Sequence, residues 1–335
     1  MYSTDADINR KKVKLVGRFE KHQDGPNLIG MFRKSSLIGL IAFGVALAVP
    51  ESAEALFGGY TRGTNCYLHR YGALAAIPAQ VVNVCVFFIA AYWLGRLVCE
   101  RNWPVGYTRK ILAVTLYAAP FVTGLWFPTG LTVEMITLSA MVYGLCVLAL
   151  SGRYRASSKF LTTAFAAIDR PEDRPHTIPW LLTSILATWF VLVVWSAVLP
   201  YGAGLAFLFV ALFISGIGDA LAEPVGLRYG RNTYTVRALF TDKTYTRSWE
   251  GSACVFASGV IAVVLLSQIG SLDVERFILY LIAFPIVATA AEAKSPHTWD
   301  QPFIIGACGL AGLVVSWLLG GAIPTIGLPP SLFGC

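Results

Sequence analysis

Long apolar runs separated by short polar connections dominate the chain. Nine of them approach the roughly 20 residues that an α-helix needs to cross the hydrocarbon core of a bilayer. They lie at about 36–50, 73–97, 110–130, 132–150, 178–199, 203–221, 251–268, 277–293 and 303–321. The first is short, and the sixth ends among polar residues. The expected fold is all-α, a polytopic integral membrane helix bundle of about nine transmembrane helices. No internal repeat is visible.

Composition agrees with the pattern. Of 335 residues, 56% are hydrophobic and 13% charged, against about 45–50% and about 25% in an ordinary soluble domain. The mean hydropathy is +0.63. These values exclude a disordered chain, a fibrous one and an ordinary soluble enzyme. The seven cysteines (Cys66, Cys85, Cys99, Cys146, Cys254, Cys308 and Cys335) form no CxxC pair and no Cys/His ligand spacing, so neither a disulfide framework nor a zinc site is expected.

Residues 1–35 are polar and basic, with Arg10, Lys11, Lys12, Lys14, Arg18, Lys21, Arg33 and Lys34. No apolar stretch with a small-residue cleavage site follows those charges closely, so a signal peptide is not indicated. The segment reads as a cytoplasmic N-terminal arm, either lying on anionic lipid or solvated. Residues 36–105 read as N-terminal transmembrane helices, 106–321 as a further transmembrane domain and 322–335 as a C-terminal tail.

The net charge of +7 matters here mainly for sidedness. With the N-terminus in the cytoplasm, the inside connections hold 23 of the 26 Lys and Arg residues, and the outside ones only Arg62, Arg70 and Arg276. That bias fits the positive-inside rule and puts the C-terminus on the opposite side of the membrane.

Charges at membrane depth cost about 2.5–3.5 kcal/mol each on insertion scales and are read as functional by default. Asp219 and Glu223 stand in SGIGDALAEPVG (215–226) at the end of the sixth run. Their four-residue spacing puts them on one helix face, and Pro224 and Gly226 are expected to end that helix. Such a pair suits a Mg²⁺ carrying phosphates; equally, it suits ion pairs with neighbouring arginines. The connection at 227–252 carries Arg228, Arg231, Arg237, Lys243 and Arg247 and reads as a basic loop. It is able to bind a nucleoside triphosphate, although positive-inside topology alone also explains its charge. A loop so short beside headgroups is not a nucleic-acid site.

Ser248, Glu250, Gly251 and Ser252 open the seventh run. There they offer either a phosphate-binding helix start or an ordinary N-cap at Ser248. Glu292 ends the eighth run, Asp300 and Gln301 precede the ninth, and Arg109 and Lys110 open the third. All these residues fall on one membrane face. His297 reads as a surface loop residue. No P-loop, kinase HRD or DFG set, or GxSxG elbow is present.

The order of these motifs resembles the polyprenol kinase family, which includes dolichol kinase, phytol kinase and CTP-dependent diacylglycerol kinase. The resemblance covers roughly 105–320. It is carried by G-D at Gly218-Asp219, R-S-W-E-G-S at 247–252, Glu292, D-Q at Asp300-Gln301, and the Arg109-Lys110 pair. It implies a kinase that uses CTP and Mg²⁺ to phosphorylate the hydroxyl of a membrane lipid alcohol: a polyprenol, phytol or diacylglycerol. Asp219, Glu292 and Asp300 would be catalytic. Asp219, Glu223 and Asp300 would hold the metal. Arg231, Arg247, Ser248, Glu250, Gly251, Ser252, Arg109 and Lys110 would bind the nucleotide.

The chain departs from the family pattern in several places. Arg247 replaces a Lys, Gln301 an Asn and Ala113 a His, and Glu223-Pro224 is unusual within the motif. CDP-diacylglycerol synthases look similar at the same positions, but their Gly-His-Gly-Gly and Asp-Arg-x-Asp-Ser ending is absent. A transporter lined by intramembrane acids is the remaining alternative. It predicts acids through the whole membrane depth, whereas only Glu134 falls near the opposite face.

Overall fold

A computed structural model describes residues 76–126, 133–198, 203–239, 241–269 and 272–320, all within one compact unit of the chain, Gly63–Cys335. The basic arm at 1–35, the candidate span at 36–50 and the tail at 322–335 lie outside the described residues.

The described chain is mostly helical. In order come α1 (Ile77–Arg101), α2 (Val105–Trp126), α3 (Val133–Ala149), the short α4 (Gly152–Arg155), α5 (Lys159–Ala166), α6 (Thr177–Val198) and α7 (Ala203–Phe213). A π-helical turn (Ile214–Gly218) joins α7 to α8 (Asp219–Tyr229). A hairpin of β1 (Thr233–Arg237) and β2 (Thr244–Ser248) follows, then α9 (Trp249–Ile269), α10 (Val274–Lys294) and α11 (Asp300–Leu318).

Six helical segments are long and apolar enough to cross a membrane: Ile77–Arg101, Thr177–Trp195, Ala206–Tyr229, Trp249–Gln268, Val274–Lys294 and Asp300–Leu318. They match six of the nine expected spans. The run at 110–130 overlaps α2, which carries Arg109 and Lys110 in its second turn, and the run at 132–150 yields the shorter apolar α3. Large apolar side chains also stand exposed on the outward faces, among them Leu145, Phe190, Ile282 and Trp317. A soluble protein would hide these groups; in lipid they face their solvent.

The core lies where α7, α9, α10 and α11 meet, with Phe207, Val210, Val263, Tyr280, Phe284 and Ile304 at 2% exposure or less. Hydrocarbon supplies little hydrophobic drive between helices, so small residues that allow close approach become important. A Cβ on Gly251 would stand 2.7 Å from the carbonyl oxygen of Ala222, and one on Gly218 would collide with Ser258 Oγ. These two glycines let α8 and the π-turn lie directly against α9. On the other side of the molecule, Gln80 and Asn83 of α1 donate to Ser139 Oγ of α3 at 3.2 and 3.0 Å, joining helices through buried polar groups.

Two local expectations are corrected. Pro224 does not end the helix, which runs on to Tyr229. Proline forfeits one backbone bond there, but the packing of α8 along α9 outweighs that loss. Gly226 serves this packing, since a Cβ on it would sit 2.7 Å from Ser248 Oγ. The second correction is that the connection at 227–252 is not a loop: Thr233–Arg237 pairs antiparallel with Thr244–Ser248. The alternation of Thr with Tyr, Val and Arg suits a half-buried ribbon, so the bundle is all-α apart from this one hairpin among the described residues.

Candidate active site

The site is built at one end of the bundle. The N-termini of α2, α9 and α11 meet the last turn of α10 there, and the hairpin covers them. Period-two alternation sends Tyr234, Val236, Tyr245 and Arg247 to the inner face of the hairpin, while Thr233, Thr235, Thr244 and Thr246 stay exposed. Arg247, paired with Tyr234 across the ribbon, is thereby carried down onto the helix ends.

Arg247 binds Glu292 twice. Its Nη1 donates to Glu292 Oε1 at 2.9 Å and also to the backbone oxygen of Glu292. Its Nη2 stands 3.7 Å from Asp300 Oδ1, beyond hydrogen-bonding distance. Burial opposes the charge on Arg247, but Asp300, Glu292 and Asp219 more than offset that and hold the guanidinium firmly protonated. Glu292 is 4% exposed. Its other oxygen accepts from Ser252 Oγ at 2.9 Å and, weakly, from Tyr234 OH at 3.4 Å. Both carboxylate oxygens of Glu292 thus have hydrogen-bond partners.

Lys110 completes the network, donating to Asp219 Oδ2 at 2.5 Å. The charges of Lys110 and Arg247 each act on both Asp219 and Asp300, which lie within electrostatic reach of one another. Six of the expected residues thus form one network: Lys110, Asp219, Arg247, Ser252, Glu292 and Asp300.

The other expected residues take different places. Glu223 is ion-paired with Arg170, the alternative left open by its spacing. Arg109 binds Asp173 at 2.6 Å. Ser248 Oγ caps α9 by accepting from the Gly251 N–H at 3.1 Å, and Gly251 packs against Ala222. Glu250 accepts from the backbone N–H groups of Arg231 and Asn232 at 3.0 and 3.2 Å. It therefore staples the start of the hairpin to α9, leaving the Arg231 side chain exposed at the rim.

His297 is not a surface residue. Its side chain is 12% exposed, and Nε2 lies 3.0 Å from Asp173 Oδ1. The ring stacks on Tyr245 with centroids 3.6 Å apart, and its backbone N–H donates to Arg237 O at 2.9 Å. Burial raises the cost of charge on Asp173, but His297 and Arg109 overcome it and hold this carboxyl well below the usual range. Lys243 Nζ and Tyr245 OH bond the backbone oxygen of Glu172, so the hairpin is clamped to the turn at Pro171–Asp173.

Sequence reasoning missed Asp173, Arg170 and Tyr234. Alternation in TYTVR and TYTRS was the signal for Tyr234. Asp173 and Arg170 sit in a polar stretch with no local mark of their partners.

No group of three His, Cys, Asp or Glu side chains able to hold a metal occurs among the described residues. Mg²⁺ usually keeps several waters and takes only one or two carboxylates plus substrate phosphates. Asp219 and Asp300, which share the charges of Lys110 and Arg247, fit that smaller donor set; Glu223 is held by Arg170 as Asp219 is by Lys110. No family model matches the chain, and no curated protein or solved structure matches it.

Proposed function

We propose that the protein is a membrane-embedded phosphotransferase that moves the γ-phosphoryl group of CTP to the hydroxyl of a lipid alcohol. The observation that carries this reading is the network in which Lys110 binds Asp219 and Arg247 faces Asp300 where the helix ends converge. Two cations and two carboxylates brought together among apolar helices suit a metal-bound triphosphate, and the N-termini of α2, α9 and α11 add positive potential.

Phosphoryl transfer asks mainly for positioning and charge stabilisation. Lys110 and Arg247 bind phosphate oxygens and stabilise negative charge on the transferred group. Asp219 and Asp300 would hold a Mg²⁺, which would supply positive charge to offset that of the triphosphate. An oxygen of Asp300 accepts the proton of the lipid hydroxyl. Glu292, fixed by Ser252 and Tyr234, keeps Arg247 aimed into the site. The cytoplasmic side is the face that supplies CTP, in agreement with the positive-inside bias.

The test is an assay in detergent micelles with α- and γ-labelled CTP, Mg²⁺, lipid alcohols and phosphatidic acid. Transfer of the γ label to an alcohol is expected. Transfer of the α label to phosphatidic acid, with pyrophosphate released, would instead make the chain a cytidylyltransferase.

A further inference from the structure

The hairpin leaves and rejoins the bundle at one level. Tyr229 ends the apolar segment Ala206–Tyr229, and Trp249 opens the segment Trp249–Gln268. Backbone bonds tie these two ends together. The Trp249 N–H donates to Asn232 O at 2.9 Å, and Glu250 Oε1 accepts from the N–H groups of Arg231 and Asn232. Both segments are long and apolar enough to cross a membrane, so the root of the hairpin stands where hydrocarbon gives way to headgroups.

The side chains at this root stay outside the packing. Leu227 is 75% exposed, Tyr229 and Trp249 are more than half exposed, and Arg228 and Arg231 are exposed beside them. Trp and Tyr favour the membrane–water boundary because an apolar ring carries one polar N–H or O–H. The Arg228 guanidinium lies 5.5 Å from the centroid of the Tyr229 ring. Among the described residues, neither Arg228 nor Arg231 forms an ion pair. Glu250 is the acid at this root, and backbone N–H groups already engage it; Asp242 sits at the opposite end of the ribbon. Two uncommitted cations thus stand next to an apolar and aromatic surface.

We propose that the hairpin root binds an anionic phospholipid of the bilayer. Arg228 and Arg231 hold the headgroup phosphate, and Leu227, Tyr229 and Trp249 lie along the glycerol and the first part of the acyl chains. Guanidinium groups bind phosphate oxygens through charge-assisted hydrogen bonds, and basic residues at a membrane surface favour anionic lipid. A free phosphate accounts for the two cations but leaves Leu227, Tyr229 and Trp249 in water. The assignment gives Arg231 to a lipid rather than to the nucleotide, in keeping with its exposed place at the rim. The bound lipid also neighbours the candidate site. The Trp249 ring lies 5.0 Å from that of Tyr234, whose hydroxyl meets Ser252 and Glu292, so the lipid braces the ribbon that carries Arg247. The inference does not depend on the reaction performed there.

The test is native mass spectrometry of the full-length protein released from micelles that hold equal amounts of phosphatidylglycerol and phosphatidylcholine. Phosphatidylglycerol is expected to be retained preferentially. That preference should fall about fivefold for Arg228→Gln or Arg231→Gln alone and about thirtyfold for both together. Melting temperatures in detergent check that the variants fold. A phosphatidylglycerol with a photoreactive headgroup gives a second reading on the unaltered protein, with crosslinks expected at 227–231 and 249. Equal retention of the two lipids, undiminished preference in the folded double variant, or headgroup crosslinks confined to other segments would each overturn the site. Displacement of the lipid by CTP would return Arg231 to the nucleotide, and displacement by inorganic phosphate at equal concentration would make this a free-anion site; either result also overturns the proposal.

Discussion

Arg247 Nη1 stands 2.9 Å from Glu292 Oε1, joining a β-hairpin strand to the last turn of a transmembrane helix. Their side chains are 14% and 5% exposed, so removing the cation strands a carboxylate away from water. Breaking a buried pair from one side costs about 3–5 kcal/mol, whereas replacing both partners is often nearly neutral. Arg247→Ala should therefore destabilise the protein by about that amount, and adding Glu292→Gln should recover most of the loss. Unfolding in mixed micelles for both single variants and the double variant measures the coupling. Purely additive losses would show that the pair does not act as a unit.

Asp219→Asn keeps the shape of the side chain and removes the charge that faces Lys110. The pair is partly exposed, 16% for Lys110 and 23% for Asp219. Its loss should cost between about 1 kcal/mol, the exposed limit, and about 3 kcal/mol, the buried one. On the proposed phosphotransferase reading, the folded variant should lose phosphoryl transfer by about 10²–10³, the range seen when one preorganised electrostatic group is taken from a site. Transfer at the wild-type rate in folded Asp219→Asn protein would remove Asp219 from the mechanism.

How much of this was legible in the sequence depends on how far each signal reaches along the chain. The helices were legible because a bilayer demands long apolar runs. Asp219 stood out because charge at membrane depth is costly; Arg247, Glu292 and Asp300 stood out by motif order and by falling on one membrane face. Their pairings were not legible. Lys110 meets Asp219 across 109 positions, and Asp173 meets His297 across 124, with nothing local to either residue that marks the pairing. The hairpin was hidden by its own charge: five basic residues made TYTVR and TYTRS read as positive-inside connection, and the alternation beneath went unused. Pro224 misled for the converse reason, since a local helix breaker was overridden by the packing of α8 on α9.

That packing makes its own prediction. A methyl group at Gly251 would sit 2.7 Å from the carbonyl oxygen of Ala222, a backbone atom that no rotamer change can move. Gly251→Ala should force α8 away from α9, costing about 1–3 kcal/mol as overpacking usually does. It should also weaken activity by displacing Asp219. The melting temperature in detergent should fall by more than for Ala222→Gly, which relaxes the same contact from the other side. A Gly251→Ala protein as stable as wild type would show that the two helices are free to separate.

The His297–Asp173 pair predicts how stability follows pH. Burial is the largest influence on His297 and lowers its affinity for a proton below the usual value near 6.5; the Asp173 hydrogen bond and charge offset this only in part, and Arg109 adds to the lowering. The neutral ring donates from Nε2 to Asp173. Because the folded value lies below the unfolded one, the unfolded chain binds the proton first. This contribution is therefore fully present above about pH 6.5 and is lost as pH falls through the lowered folded value. Asp173, also held below its usual range, gives a second and separate loss, starting near its ordinary value of 3.8 and moving downward. His297→Gln should flatten the first slope and leave the second in place, as read from melting temperatures in detergent across the acid range. An unchanged slope just below pH 6.5 would assign the loss to another group, the nearest being His176, which burial and Lys243 shift in the same direction.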